Sequence, residues 1–219
     1  HHTTPPARLS EAALIRALEE SGIGRPSTYA SIIETIQRRE YTFKKGNALV
    51  PTFTAFAVVQ LMEDHLRHLI DTEFTAKMED RLDSISRGEH EPIPYLREFY
   101  FGNGMPGLKP ILDDKAEEIS PRDVCSIPLG SDDEGREIIV RVGRYGPFLQ
   151  RGDTNATLQE GICPDELTID EATRLLDAAA KGDEPIGRHP ETDEPVYVKV
   201  GRYGPYVQLG DQDPEDKKK

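Results

Sequence analysis

SEAALIRALEESGIGRPSTYASIIETIQRREYTFKKGNALVP, residues 10–51, changes its hydrophobic period twice and so decides the fold of the first part of the chain. Ser10 is placed to cap a helix whose Ala13, Leu14, Ala17 and Leu18 share one face at helical spacing. Gly22 supplies the stop. A second helix is expected from Pro26 or Ser27, with Tyr29, Ile32, Ile33 and Ile36 as its apolar stripe and Thr28, Ser31, Thr35, Arg38 and Arg39 lying off it. Two short helices joined by a glycine-containing turn make a helix-turn-helix pattern. Tyr41–Phe43 and Ala48–Val50 then read as strands around a KKGN turn, and a hairpin in that place gives a winged-helix arrangement.

Working outward, TAFAVVQLMEDHLRHL, TAKMEDRLDSISRG and IPYLREFYFGNG read as further helices, the first capped by Thr52 or Thr54 and the second ended by Gly88. After Pro121 the character changes. VRVGRYGPFLQRGD (140–153) returns 58 residues later as VKVGRYGPYVQLGD (198–211), identical at ten of fourteen positions. One small module is therefore used twice. Each copy reads as a few antiparallel strands. The helix TIDEATRLLDAAAKG lies between the copies, with a capping box formed by Thr168 and Glu171. The second copy reaches DPEDKKK before a helix of its own could follow. The expected class is α+β: a helical, winged-helix-like part over residues 1–112, a first β-rich antiparallel repeat module over 113–183, and a second, truncated one over 184–219.

Charged residues make up 31% of the chain and hydrophobic ones 36%, which fits a soluble protein, and no apolar run reaches the length of a membrane span. No signal peptide is legible at the start, where His1 and His2 read as a tag remnant on a piece of a longer protein. Cys125 and Cys163 make no metal-binding pair and are expected as free thiols in a reducing compartment. The net charge of -13 excludes a uniformly basic surface. A local basic patch remains open, because the acid lies mostly after residue 110 and the arginine clusters before it.

The start of the second helix offers one candidate site. A helix N-terminus carries unpaired N–H groups and partial positive charge, and it favours anions. Arg25, Ser27 and Thr28 surround that terminus and Arg39 adds charge three turns along, a set suited to a phosphate backbone. The same residues also read simply as caps. In the repeats, Arg144, Tyr145 and Phe148, and Arg202, Tyr203 and Tyr206, combine a guanidinium with two aromatics. An exposed ring of this kind stacks on an unpaired base and the arginine meets phosphate, whereas a packed ring fills the module's core. The acidic SDDEG stretch reads as a solvated turn, and His65 and His68 as a solvated helix face, so no metal site is expected here.

PPARLSEAALIRALEESGIGRPSTYASIIETIQRREY (5–41) and FTAKMEDRLDSISRGE (74–89) closely resemble segments of the bacterial type IA DNA topoisomerases, and VKVGRYGPYVQLG resembles the C-terminal repeat of that family. The resemblance covers nearly the whole chain. It implies an enzyme that relaxes negatively supercoiled DNA without ATP. A tyrosine cuts one strand, Mg²⁺ held by a Toprim domain assists, another strand passes, and the cut is resealed. It also implies that Arg25, Ser27, Thr28 and Arg39 lie beside single-stranded DNA and that the repeats bind single strands. The chain departs from the family pattern in lacking the Toprim acidic motif and the active-site tyrosine motif. A non-cleaving, strand-binding fragment is therefore expected, completed by the catalytic domains of its parent, in a bacterial cytoplasm at the nucleoid. Two other classes stay open: a winged-helix regulator of duplex DNA, and an acidic module that docks a protein such as part of the transcription machinery.

Overall fold

The winged-helix pattern is built as its sequence periods suggest. A computed structural model of the chain describes residues 6–104, 107–159, 161–182, 185–201 and 204–210. Helix α1 spans Glu11–Glu20, with the Ser10 hydroxyl accepting from the Ala13 N–H at 3.2 Å. Gly22, at φ +69°, ends it: the Ile23 N–H reaches back to the Leu18 carbonyl at 2.9 Å. Helix α2 spans Tyr29–Arg38, and strands β1 (Thr42–Lys45) and β2 (Ala48–Pro51) follow as an antiparallel hairpin. Gly46, at φ +62°, takes the left-handed position that a two-residue hairpin turn requires. The Leu49 N–H donates to the Leu9 carbonyl at 2.8 Å, so the hairpin is tied to the chain entering α1.

Ile33 of α2, Leu49 and Val50 of β2, and Phe53 and Ala57 of the next helix form the buried centre of this part. That helix, α3 (Phe53–His65), is capped by Thr52, whose hydroxyl accepts from the Ala55 N–H at 3.2 Å and donates to the Glu40 carbonyl at 2.7 Å. Helices α4 (Thr72–Ser86), α5 (Pro92–Phe101), α6 (Leu108–Lys115) and the short α7 (Pro121–Val124) complete a first unit, His1–Cys125.

The second unit, Ser126–Lys219, carries the repeats. Strands β3 (Ser126–Ser131), β4 (Glu137–Gly143), β5 (Gly146–Arg151) and β6 (Thr154–Thr157) form an antiparallel meander. Helix α8 (Ile169–Gly182) packs on that sheet. Ile138, Val140 and Leu149 point to one face and are fully buried with Leu176 of α8. Gly130 shapes the approach of the helix: a Cβ there would stand 2.6 Å from Ile169 Cδ1.

Strands β7 (Gly187–Arg188), β8 (Pro195–Gly201) and β9 (Gly204–Leu209) form the sheet of the second copy. Val207 and Leu209, the counterparts of Leu149 and Arg151, are 68% and 48% exposed. The inner face of the second copy is thus far more open than that of the first.

Local expectations are corrected at two helix starts. Helix α2 begins at Tyr29 rather than at Pro26 or Ser27, because residues 25–28 close a tighter turn in which the Thr28 and Tyr29 N–H groups both reach the Arg25 carbonyl, at 2.8 and 3.2 Å. The capping box of α8 is half formed. Thr168 accepts from the Glu171 N–H at 3.2 Å, but the Glu171 carboxylate turns outward to Arg174.

Candidate nucleic-acid interface

The turn before α2 is anchored from a distant helix. Gly24 donates its N–H to Glu79 Oε1 at 3.1 Å. Arg25 Nε donates to Asp83 Oδ2 at 3.0 Å, and Nη2 meets Asp83 Oδ2 at 2.9 Å and Asp80 Oδ1 at 3.2 Å. Nη1 donates to the carbonyls of Gly22 and Gly24 at 3.2 and 2.8 Å. Hydrogen bonding to Asp83 holds the guanidinium above its ordinary pKa; partial desolvation opposes this, and the charges of Asp83, Glu79 and Asp80 reinforce it. Four of the five N–H donors of Arg25 are therefore hydrogen-bonded within the protein, and Nη2 is also ion-paired with Asp83. The sequence singled out Arg25 as a phosphate donor. In the structure its hydrogen bonds run to α4 and to its own turn.

The Thr28 hydroxyl is likewise engaged in its own turn: it accepts from the Arg25 N–H at 2.9 Å and donates to the Arg25 carbonyl at 3.0 Å. No side chain caps α2. Ser27 is exposed beside that uncapped turn. Thr28, Thr35 and Arg39, spaced by seven and four residues, fall along one line of α2. That line runs about 16 Å at the rise of an α-helix. Arg39 is exposed and enters no ion pair among the described residues, whereas Arg38 lies 3.8 Å from Glu34. Ser27 and Thr28 are thus exposed at the start of α2 and Arg39 at its end, with Arg25 at the turn that precedes the helix.

In the first repeat, Arg144 and Tyr145 form the two-residue tip between β4 and β5, where Gly143 pairs with Gly146. Tyr145 is 82% exposed and the Arg144 guanidinium stands 5.7 Å from its ring centroid. Phe148 behaves differently. It packs over Gly143, where a Cβ would come within 3.0 Å of Phe148 Cε1. The pair therefore divides into one open ring and one anchored ring. Tyr206 is half exposed on β9, and Arg202 and Tyr203 lie outside the described residues.

Strand register adds residues that the sequence reading missed. Arg141 is paired with Phe148 across β4 and β5, and Lys199 with Tyr206 across β8 and β9. Paired residues share a sheet face. In the first copy this is the face opposite α8, because Val140 and Leu149 point the other way. Arg141 Nε donates to Gln150 Oε1 at 2.8 Å and its Nη1 to the Ser126 hydroxyl, so the guanidinium is held from both neighbouring strands. Gln208 occupies the place of Gln150 in the second copy, and Lys199 Nζ lies 5.4 Å from the centroid of Tyr197. A cation beside an aromatic thus recurs on the same face of both modules. The repeat alignment held the signal for this pairing: a basic residue stands at both 141 and 199.

The first module is held together by charge beneath these rings. Arg151, almost fully buried, meets Asp132 Oδ2 at 3.2 Å and Asp177 Oδ1 of α8 at 2.6 Å. Burial pushes the Asp132 carboxyl up, but the Arg136 backbone and guanidinium and the Glu134 N–H outweigh it and hold the group below the ordinary aspartate range. Among the described residues, no three His, Cys, Asp or Glu side chains converge to hold a metal ion, and no helix is long and apolar enough to cross a membrane.

Comparison with known proteins follows the same division. Residues 1–97 match the DNA topoisomerase family model, and residues 131–185 and 189–216 match the topoisomerase C-terminal repeat. The chain is 47% identical to DNA topoisomerase 1 of Streptomyces coelicolor and 48% identical to that of Mycobacterium tuberculosis, in each case over 94% of its own length and 24% of the relative's. It therefore spans about a quarter of these relatives. Full-length topoisomerase I from Thermotoga maritima resembles it in structure with a TM-score of 0.58 at 26% identity, over 74% of this chain and 26% of that one.

Proposed function

Residues 1–97 belong to the DNA topoisomerase family and residues 131–185 and 189–216 to its C-terminal repeat, and on that premise we propose that this chain binds and guides single-stranded DNA within a type IA topoisomerase. The longer enzyme would relax negatively supercoiled DNA by ATP-independent cleavage, strand passage and religation, with Mg²⁺ bound by catalytic domains elsewhere in the protein. Its place would be the bacterial cytoplasm, on the nucleoid.

The recurring cation–aromatic pair carries this proposal. Arg141 with Phe148 and Lys199 with Tyr206 occupy equivalent places on two sheets, each next to a GRYGP turn. Unpaired bases have free faces for such rings, and their backbone supplies phosphate for the cations. Duplex DNA hides its base faces in the stack. On the first unit, Ser27, Thr28 and Arg39 would follow the backbone of a strand laid along α2. In the repeats, Arg144 and Tyr145, and Arg202 and Tyr203 as their equivalents in sequence, would add contacts to those of Phe148 and Tyr206.

Fluorescence anisotropy with a labelled single strand and its duplex, over a series of salt concentrations, tests this. Tighter binding of the single strand, weakening as salt rises, is the expected result. Equal binding of the two forms refutes single-strand guidance. Absence of DNA binding, together with capture of a basic protein, would favour the docking role that the net charge of -13 also suits.

A further inference from the structure

Helix α4 offers one continuous face to the turn Gly22–Thr28. A Cβ on Gly22 would lie 3.4 Å from Ala76 Cβ, and Glu79, Asp80 and Asp83 continue along the helix to hold Gly24 and Arg25. Residues 76, 79, 80 and 83 are spaced to share one side of a helix. Asp80 and Asp83 meet the guanidinium and Glu79 holds the Gly24 N–H, so the three carboxylates and one cation of this junction carry two net negative charges and do not themselves attract phosphate. Four of the five Arg25 donors already make bonds within the protein, which leaves little of the guanidinium for a phosphate.

We propose that Asp83, assisted by Glu79 and Asp80, is a positioning residue for DNA binding: it fixes Arg25, and Arg25 acts by shaping the turn that presents Ser27 and α2 rather than by touching phosphate. This rests on the single-strand reading above. Its physical content is that Arg25 is a four-bond brace. Its Nη1 holds the carbonyls of Gly22 and Gly24, both residues with positive φ, while Nε and Nη2 tie them to Asp83 and Asp80 of α4. Lysine has the charge but not the planar fork, and cannot replace it.

The test compares the 219-residue chain with Arg25→Ala, Arg25→Lys, Asp83→Asn and the Arg25→Ala/Asp83→Asn double variant. Single-strand affinity is measured by anisotropy at several salt concentrations, and amide exchange is followed at Gly24, Thr28 and Tyr29. The brace predicts that Arg25→Lys and Asp83→Asn each weaken binding about as much as Arg25→Ala, and that the double variant is no worse than either single one. The slope of log affinity against log salt should stay at its wild-type value, because no phosphate contact is removed. A direct contact would instead lower that slope by about 0.7 in Arg25→Ala and leave Arg25→Lys nearly intact. Either of those results overturns the proposal, as does wild-type exchange at the turn in Asp83→Asn. Loss of turn protection in Asp83→Asn, in a chain that binds no DNA at any salt, would overturn the single-strand reading while leaving the brace itself standing; this separates the two failures.

Discussion

Replacing Tyr145 by alanine separates binding from folding. The ring is 82% exposed at a hairpin tip, and its one ring contact among the described residues is the Arg144 guanidinium at 5.7 Å. Removing it leaves no cavity, so stability should change by no more than about 0.5 kcal/mol, as for surface positions in general. A ring stacked on a base contributes about 1–3 kcal/mol. At about 1.4 kcal/mol per factor of ten, its loss weakens single-strand binding by about 5- to 150-fold. Anisotropy at fixed salt reads the affinity, and urea unfolding followed by circular dichroism confirms the fold. Tyr145→Phe should bind like the wild type, because the face of the ring is kept. Phe148→Ala is a poorer probe, since that ring packs over Gly143 and its removal disturbs the sheet. Wild-type affinity in Tyr145→Ala, with an unchanged fold, would refute base stacking at the β4–β5 tip.

Other perturbations test the framework beneath the site. Leu176→Ala should cost about 2–5 kcal/mol of stability in the second unit, because this fully buried side chain seals α8 to its sheet; urea unfolding measures it. Thr52→Ala should cost about 1 kcal/mol through the lost cap of α3, read in the same way on the first unit. The Asp132 carboxyl titrates below its ordinary range in the folded state, so its stabilising contribution is complete above the unfolded aspartate pKa and is lost as pH falls through the lowered value. Asp132→Asn should therefore be less stable than the wild type near neutrality, and the gap should close as the medium is acidified below about pH 4. A gap that widens in acid would show that Asp132 is not stabilised as its carboxylate.

Local signals carried far in this sequence. Ser10 and Thr52 cap the helices expected of them, Gly22 ends α1, and the ten identities between the copies located both GRYGP hairpins. What escaped depended on residues brought together by the fold. Arg25 reads as an unclaimed cation next to a helix start until α4 arrives, 55 to 58 residues later, with the carboxylates that occupy it. Beside those bonds, the Thr28 and Tyr29 N–H groups close a tight turn on the Arg25 carbonyl, and α2 starts at Tyr29. Arg141 and Lys199 were visible as equivalent basic positions, but only the register of β4 with β5 and of β8 with β9 sets them beside Phe148 and Tyr206. Exposure separated Tyr145 from Phe148, a distinction that residue type alone does not make.

The exchange of Arg151 for Leu209 between otherwise matching strands has a consequence for how a repetitive chain avoids errors. Tandem copies of one module risk pairing the helix of one with the sheet of another. Helix α8 carries Asp177, which the buried Arg151 neutralises on its own sheet. Laid over the second sheet in the same register, that carboxylate would face Leu209 and lose its cation. A helix α8 docked on the wrong copy would therefore forfeit an ion pair that the first copy provides, at one of the four positions out of fourteen where the two stretches differ.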